Sequence, residues 1–186
     1  MHLRISTYHF RFFITIVSFV VVSCSTQLPM KTDLNTKPMR GFDEKKQQEM
    51  LLGNISREDL KGVPYGWFDS NYTSAKLDTS LLSEIQQYLT DEIRIEIVMG
   101  TWCSDSRAQI PHLYKILDVV KFPKEHIALY CVDRSKHFPF GAPHDGEIEK
   151  VPTVFFYNGE QRLGVFIETP QETIEKDLLN ILRSNE

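Results

Sequence analysis

Apolar residues are distributed along this chain in several distinct patterns. Phe12 to Val22 is an eleven-residue, mostly apolar run without a polar period. From Ser25 to about Lys61 the sequence is polar and mixed in charge, and Pro29, Pro38, Gly41 and Gly53 interrupt any long period. This stretch is expected to be a tether that buries little. A short helix is expected over Asp43 to Leu52, and Ser56-Arg57-Glu58-Asp59 reads as a second helix start with acids in its first turn. After Pro64 the density of aromatic and branched residues rises, which marks a folded domain. Trp67, Phe68 and Tyr72 suggest a first extended segment. Leu81, Leu82, Ile85, Tyr88 and Leu89 repeat with a helical period behind Thr79 and Ser80 as caps. Ile93, Ile95, Ile97 and Met99 alternate as one face of a strand. A helix follows from about Cys103 to Val119, with Ile110, Leu113, Tyr114 and Leu117 on its apolar face and Pro111 bending it. Ile127 to Asp133 reads as a buried strand. Thr153 to Tyr157 and Arg162 to Ile167 form a hairpin about Asn158-Gly159. A last helix is expected to open at Thr169-Pro170-Gln171-Glu172 as a capping box and to bury Ile174, Leu178, Ile181 and Leu182.

The expected order is strand, helix, strand, helix, strand, loop, hairpin, helix. A parallel start with an antiparallel end gives an α/β domain, a mixed central sheet flanked by helices. Length and composition agree: 186 residues, 41% hydrophobic and 25% charged, suffice for one sizeable core. The formal charge is -4 and no basic block is present, which disfavours a nucleic-acid partner.

The three cysteines are the next question, because an odd, small number argues against a disulfide scaffold. Arg4 and Arg11 lead into the apolar run, which is too short to span a bilayer of about 30 Å as a helix. Val21-Val22-Ser23-Cys24 resembles the lipobox of bacterial lipoproteins, in which cleavage precedes the cysteine and its thiol carries lipid. An ordinary signal peptide cut near a cysteine, or an uncleaved anchor, are the competing readings. The resemblance implies a signal over 1–23, a tether over 24–62 and a domain over 63–186. Cys24 would anchor the mature, more acidic chain to a membrane of the bacterial cell envelope, facing an extracytoplasmic compartment.

Gly100-Thr101-Trp102-Cys103-Ser104-Asp105-Ser106 lies where a strand ends and a helix begins. Unpaired backbone N–H groups and the positive end of the helix dipole favour a thiolate there, which makes Cys103 a candidate nucleophile. Ser106, one turn on, is placed to donate a hydrogen bond to the sulfur, whereas the charge of Asp105 acts against the thiolate. This stretch resembles the redox motif of the thioredoxin superfamily, with Cys103 at the attacking position and Ser106 in place of the resolving cysteine. Pro111, the Val151-Pro152-Thr153 turn and the Phe156 to Glu160 hairpin are similar to further marks of that family at matching spacings.

The resemblance covers about residue 65 to the C-terminus and implies a thioredoxin-like fold. It also implies a cis bond before Pro152 that presents the Val151 backbone to a bound substrate beside the sulfur. It implies a thiol-disulfide oxidoreductase whose partners are exported protein thiols or disulfides, or small thiols. Two departures shape that expectation. Without a resolving cysteine the mechanism must be monothiol, and the family's buried acid falls at Ile97 while Glu96 is on the opposite face. The alternative is a redox-inactive binding module that keeps the fold; a thiol peroxidase is disfavoured because no peroxiredoxin-type cysteine is present.

Cys131, within a strand, is expected to pack in the core, too far from Cys103 for a disulfide. Cys103 and Asp133-Arg134 are expected to share the edge where parallel strands end. Arg134 or His137 then stands where a substrate carboxylate or the Cys103 thiolate needs a cation, although solvated loop residues are the plainer account. Trp102 is a lid beside the thiol or a packed aromatic. The connection from Arg134 to Lys150 also carries His144 and Asp145, but His137, His144 and Asp145 match no closed zinc pattern. No metal and no cofactor are expected.

Overall fold

The computed structural model describes residues 38–138, 144 and 146–184. The signal, Cys24 and the segment through residue 37 lie outside these described residues. The described chain forms strands β1 (Met39–Asp43), β2 (Gln48–Ile55), β3 (Ile93–Met99), β4 (Ile127–Cys131), β5 (Thr153–Asn158) and β6 (Gln161–Ile167). Helices α1 (Trp67–Ser74), α2 (Thr79–Tyr88), α3 (Ser104–Val119) and α4 (Ile174–Arg183) accompany them, with short 3-10 turns at Arg57–Leu60 and Lys124–His126. One sheet runs in the order β1-β2-β4-β3-β5-β6. Only β3 and β4 pair in parallel; the other neighbours are antiparallel. The architecture is mixed α/β.

The sheet has two unlike faces. Ile93, Ile95, Ile97 and Met99 of β3 join Leu129 and Cys131 of β4 and Val154 and Phe156 of β5 in the main core. Phe68 of α1, Leu82 and Ile85 of α2, Ile110 and Leu117 of α3 and Leu178 and Leu182 of α4 complete that core, so all four helices cover this face. The alternate residues Val98, Tyr130, Phe155 and Tyr157 form a smaller cluster with Trp102, Phe138 and Ile148, the last two packing on the second face from beyond β4 and before β5. A strand's period of two divides its residues between these environments.

Several local expectations are corrected. Residues 43–52 are not a helix in a tether: β1 and β2 form a hairpin whose Leu51 and Ile55 are core residues. The Asp43 carboxylate accepts the N–H groups of Lys45 and Lys46 at 3.1 and 3.4 Å, which fixes the polar turn between the strands. β2 then pairs with β4, so the sheet begins by residue 39 rather than after 62. Ser56 does open a turn, closed when its N–H donates to Asp59 at 2.8 Å, but the turn is 3-10 and buries Leu60.

Trp67, Phe68 and Tyr72 lie in α1 rather than in a strand. Adjacent Trp67 and Phe68 both pack against the main core, which a helical stripe allows and strand alternation does not. α4 starts at Ile174 with Thr173 as its N-cap, because the carboxylate of Asp177 accepts the N–H groups of Gln171 and Glu172 and holds them in a preceding turn. β4 ends at Cys131.

Pro111 sits inside α3 as the sequence predicts and removes the N–H that would serve the Arg107 carbonyl. Nδ2 of Asn71 in α1 donates to that carbonyl at 2.9 Å, so a neighbouring helix satisfies the acceptor that proline leaves.

Candidate functional site

Backbone and side-chain hydrogen bonds together build the turn between β3 and α3. The Cys103 N–H donates to the Gly100 carbonyl at 2.9 Å, and the Arg107 N–H donates to the Cys103 carbonyl at 3.1 Å to begin the helix. Thr101, fully buried, accepts the N–H of Leu51 at its Oγ1 at 3.2 Å, tying the turn to β2. Trp102 Nε1 donates to the Val132 carbonyl at 2.9 Å, which holds the indole over the end of β4. Gly100 makes room for that ring: a Cβ there would lie 2.5 Å from Trp102 Cε2.

Cys103 is the N-cap of α3, partly exposed, with its Sγ donating to the Val151 carbonyl at 3.2 Å. The Val151-Pro152 peptide is cis, as expected, and Thr153 Oγ1 donates to the Lys150 carbonyl at 2.7 Å beside it. The sulfur thus meets a backbone carbonyl at the start of α3, and its side chain makes no capping hydrogen bond to the first helical turn.

Ser106 lies in the first turn of α3 but is fully buried, and its Oγ accepts the Gly100 N–H at 3.2 Å. Among the described residues it makes no hydrogen bond to Cys103; its contact supports the turn beneath the sulfur. Asp105 stands in the same first turn, half-buried. Cys131 is fully buried in the main core, free, and its thiol pKa is pushed far up by burial.

Arg134 does share the edge with Cys103. Its guanidinium stacks on Trp102, 4.8 Å from the ring centre, and interacts electrostatically with Cys103. It is also held by a residue the sequence did not single out. Nε and Nη2 of Arg134 donate to the two carboxylate oxygens of Asp43 at 2.6 and 2.9 Å. That pairing holds the Asp43 carboxyl below its usual range despite burial. Asp133 instead shapes the chain beyond β4, its Oδ1 accepting the N–H groups of Ser135 and His137 at 2.8 and 3.0 Å. Arg107 is a second cation near the sulfur. It donates from Nε to the Thr101 carbonyl at 2.6 Å, lies 5.3 Å from the Trp67 ring, and burial lowers its pKa.

His137 is exposed on this connection, while His144 lies on the second face of the sheet. His144 Nε2 is 2.6 Å from Glu96 Oε2, Nδ1 is 3.1 Å from Glu147, and the ring stacks 3.8 Å from Phe155. Glu96 also pairs with Arg94 on that face, while Ile97 points into the main core, as the strand period requires. Asp145 lies outside the described residues. Among the described residues no group of three His, Cys, Asp or Glu side chains is arranged to hold a metal ion. Nor is any helix among them long and apolar enough to cross a membrane.

The signals for the missed parts differ. Met50, Leu51 and Ile55 beside Gly53 were visible as apolar residues in a polar stretch, whereas Asp43 is 91 residues from its partner and carries no local mark.

No protein-family model matches the chain, and no curated protein matches it. Among solved structures, the chain is similar to the 1.5 Å crystal structure of PA1234, a protein of unknown function from Pseudomonas aeruginosa. The similarity has a TM-score of 0.53 at 17% identity and covers 72% of this chain and 94% of that one. At that identity the likeness concerns the fold alone.

Proposed function

We propose that this protein is a membrane-tethered, thioredoxin-like thiol-disulfide oxidoreductase that acts through Cys103 by a monothiol mechanism. The observation that carries the reading is the position of the sulfur. It caps α3 after a central strand and lies 3.2 Å from the carbonyl that precedes a cis-proline. A partly exposed thiol beside this turn suits a small disulfide or an extended peptide that reaches the sulfur itself, since Val151 is buried.

In the first step the Cys103 thiolate attacks one sulfur of a substrate disulfide. A new S–S bond forms, the old one breaks, and the second sulfur leaves as a thiolate that takes up a proton. Cys131 is sealed in the core and Ser106 has no thiol, so neither resolves the adduct. An external thiol then attacks the mixed disulfide, releases Cys103, and ends as the oxidised partner. Exported proteins and small thiols are the substrates in this reading, and lipid on Cys24 keeps the domain at the membrane of the cell envelope.

The test is trapping. Purified protein treated with a small aromatic disulfide is expected to form a long-lived adduct on the Cys103 peptide by mass spectrometry, discharged by added thiol. Cys103→Ser abolishes the adduct and Cys131→Ser leaves it. Absence of any adduct on Cys103, with partner binding retained by Cys103→Ser, would favour a redox-inactive binding module instead. For the anchor, Cys24→Ala is expected to move the protein from the membrane fraction to the soluble fraction.

A further inference from the structure

Resting on the Cys103 reading, we propose that Asp43 is a positioning residue: it holds Arg134 over the Trp102 ring so that the guanidinium receives the anionic end of the molecule reacting at Cys103. The substrate class that follows is a thiol or disulfide with a carboxylate close to its sulfur.

Three distant segments converge to make this arrangement. Asp43 ends β1, Trp102 precedes the helix that Cys103 caps, and Arg134 follows β4. Asp43 is only 1% exposed, and a carboxylate so placed is costly unless its oxygens are paired. Arg134 satisfies both oxygens with a side-on fork, and the backbone N–H groups of Lys45 and Lys46 add to one of them. Pairing alone does not require the arginine to lie over the ring of the residue that precedes Cys103, yet it does, and the Trp102–Val132 hydrogen bond fixes that ring in turn. The orientation of the guanidinium is thus set from two sides.

The fork leaves capacity for a ligand. A guanidinium carries five N–H donors, and Asp43 engages it through Nε and Nη2 only. The Arg134 side chain is 32% exposed, so part of it meets solvent, and it interacts electrostatically with Cys103. Planar donors matched to a carboxylate make this a directional site rather than a diffuse positive field. Arg107, the other nearby cation, is turned to the Thr101 carbonyl and the Trp67 ring and is committed to the turn itself.

Two alkylating reagents of nearly equal size separate these ideas: iodoacetate, which carries a carboxylate, and iodoacetamide, which is neutral. Rates are read by mass spectrometry on the Cys103 peptide of the full chain, so Cys24 and Cys131 do not contribute. The same thiolate attacks both reagents, so the iodoacetate-to-iodoacetamide ratio is insensitive to thiol acidity and reports anion recognition. Arg134→Gln is expected to lower the ratio about fivefold, the scale of one partly exposed ion pair.

Asp43→Asn gives the decisive sign. If Asp43 merely offsets charge, removing it leaves Arg134 more positive and raises the ratio. If Asp43 positions Arg134, the ratio falls toward that of Arg134→Gln. A ratio that rises or stays level in folded Asp43→Asn overturns the proposal.

Should Asp43→Asn fail to fold, as read by circular dichroism, Arg134→Lys replaces it, since lysine keeps the charge and loses the fork and the stack. A fall of at least about twofold is then expected, and an unchanged ratio overturns the assignment. Disulfide trapping is a separate arm. Anion preference without any Cys103 adduct would refute the oxidoreductase reading and leave the arginine site standing; adduct formation without anion preference would do the reverse.

Discussion

Two cysteines stand at the ends of neighbouring parallel strands in environments that share almost nothing. Cys131 is the last residue of β4, opposite Met99 in the ladder, and its side chain enters the helix-covered core. Cys103 lies four positions beyond Met99, past the last ladder bond of β3, at the N-cap of α3. Within the ladder Cys131 stands opposite Met99 and Gly53, and burial on an apolar face pushes its thiol toward its neutral form. Just beyond the sheet, Cys103 stands at the helix start with no capping bond from its side chain and is partly exposed. A shift of a few residues along a strand end separates a thiol sealed in the core from one that is partly exposed.

The largest expected effect tests that contrast directly. In the native protein a maleimide probe should label Cys103 readily, while Cys131 should be protected by a factor of at least about 10³ until the domain opens. Comparable labelling of both, read by peptide mapping, would remove the distinction. Leu117→Ala then sharpens it. Leu117 is 1% exposed in the core that encloses Cys131, and its truncation should cost about 2–5 kcal/mol by chemical denaturation. Cys131 labelling should accelerate by about 30-fold or more, since labelling follows the open population, with little change at Cys103.

The two regions were also unequally legible in the sequence. Around Cys103 the signals were local. Ile93 to Met99 alternates on a strand period, Cys103 follows it directly, and Asn158-Gly159 marks the hairpin after Pro152. The structure draws β3, α3, β5 and β6 close to those bounds. The N-terminal hairpin was not legible. Leu51 and Leu52 stand side by side and Gly53 interrupts the alternation, so no clean period of two survives, and burial there comes from β4, about 75 residues away in sequence.

α1 failed for a related reason: Trp67, Phe68 and Tyr72 are strand-favouring residues that helix packing overrides. At the site, Cys103, Trp102, Arg134, Val151 and Pro152 converge, but the role of Ser106 differs, because its hydroxyl serves Gly100 beneath the turn. Asp43 was invisible because a pairing across 91 residues leaves no mark in either neighbourhood.

Gly100→Ala probes the Cys103 side alone. The added Cβ meets Trp102 Cε2, Nε1 and Cζ2 at 2.5–2.8 Å, so the indole must move and its bond to Val132 must lengthen. Overpacking of this kind costs about 1–3 kcal/mol. The iodoacetate preference should fall as well, since Arg134 loses the ring it lies on, and Trp102 fluorescence should shift. Protection of Cys131 should weaken only by the global loss of stability. A preference unchanged by Gly100→Ala would mean that the ring does not help to orient the guanidinium.

The smallest effect lies in acid, and its sign follows from Asp43. Its carboxyl is held below the ordinary aspartate value of 3.8, chiefly by hydrogen bonding from Arg134, so the folded protein binds the Asp43 proton less readily than the unfolded chain does. The stability from this group is therefore fully present above about pH 4 and is lost as the pH falls through the lower folded value. Wild type should exceed Asp43→Asn in urea midpoint by a constant margin at pH 5 to 7, and the margin should shrink below pH 4. The Leu117→Ala penalty, which arises from lost apolar contact, should show no comparable dependence over the same range. If the Asp43→Asn margin is instead flat down to pH 2.5, the carboxylate contributes nothing specific as an anion. The Cys103 edge would then be held by packing alone, as the Cys131 core is.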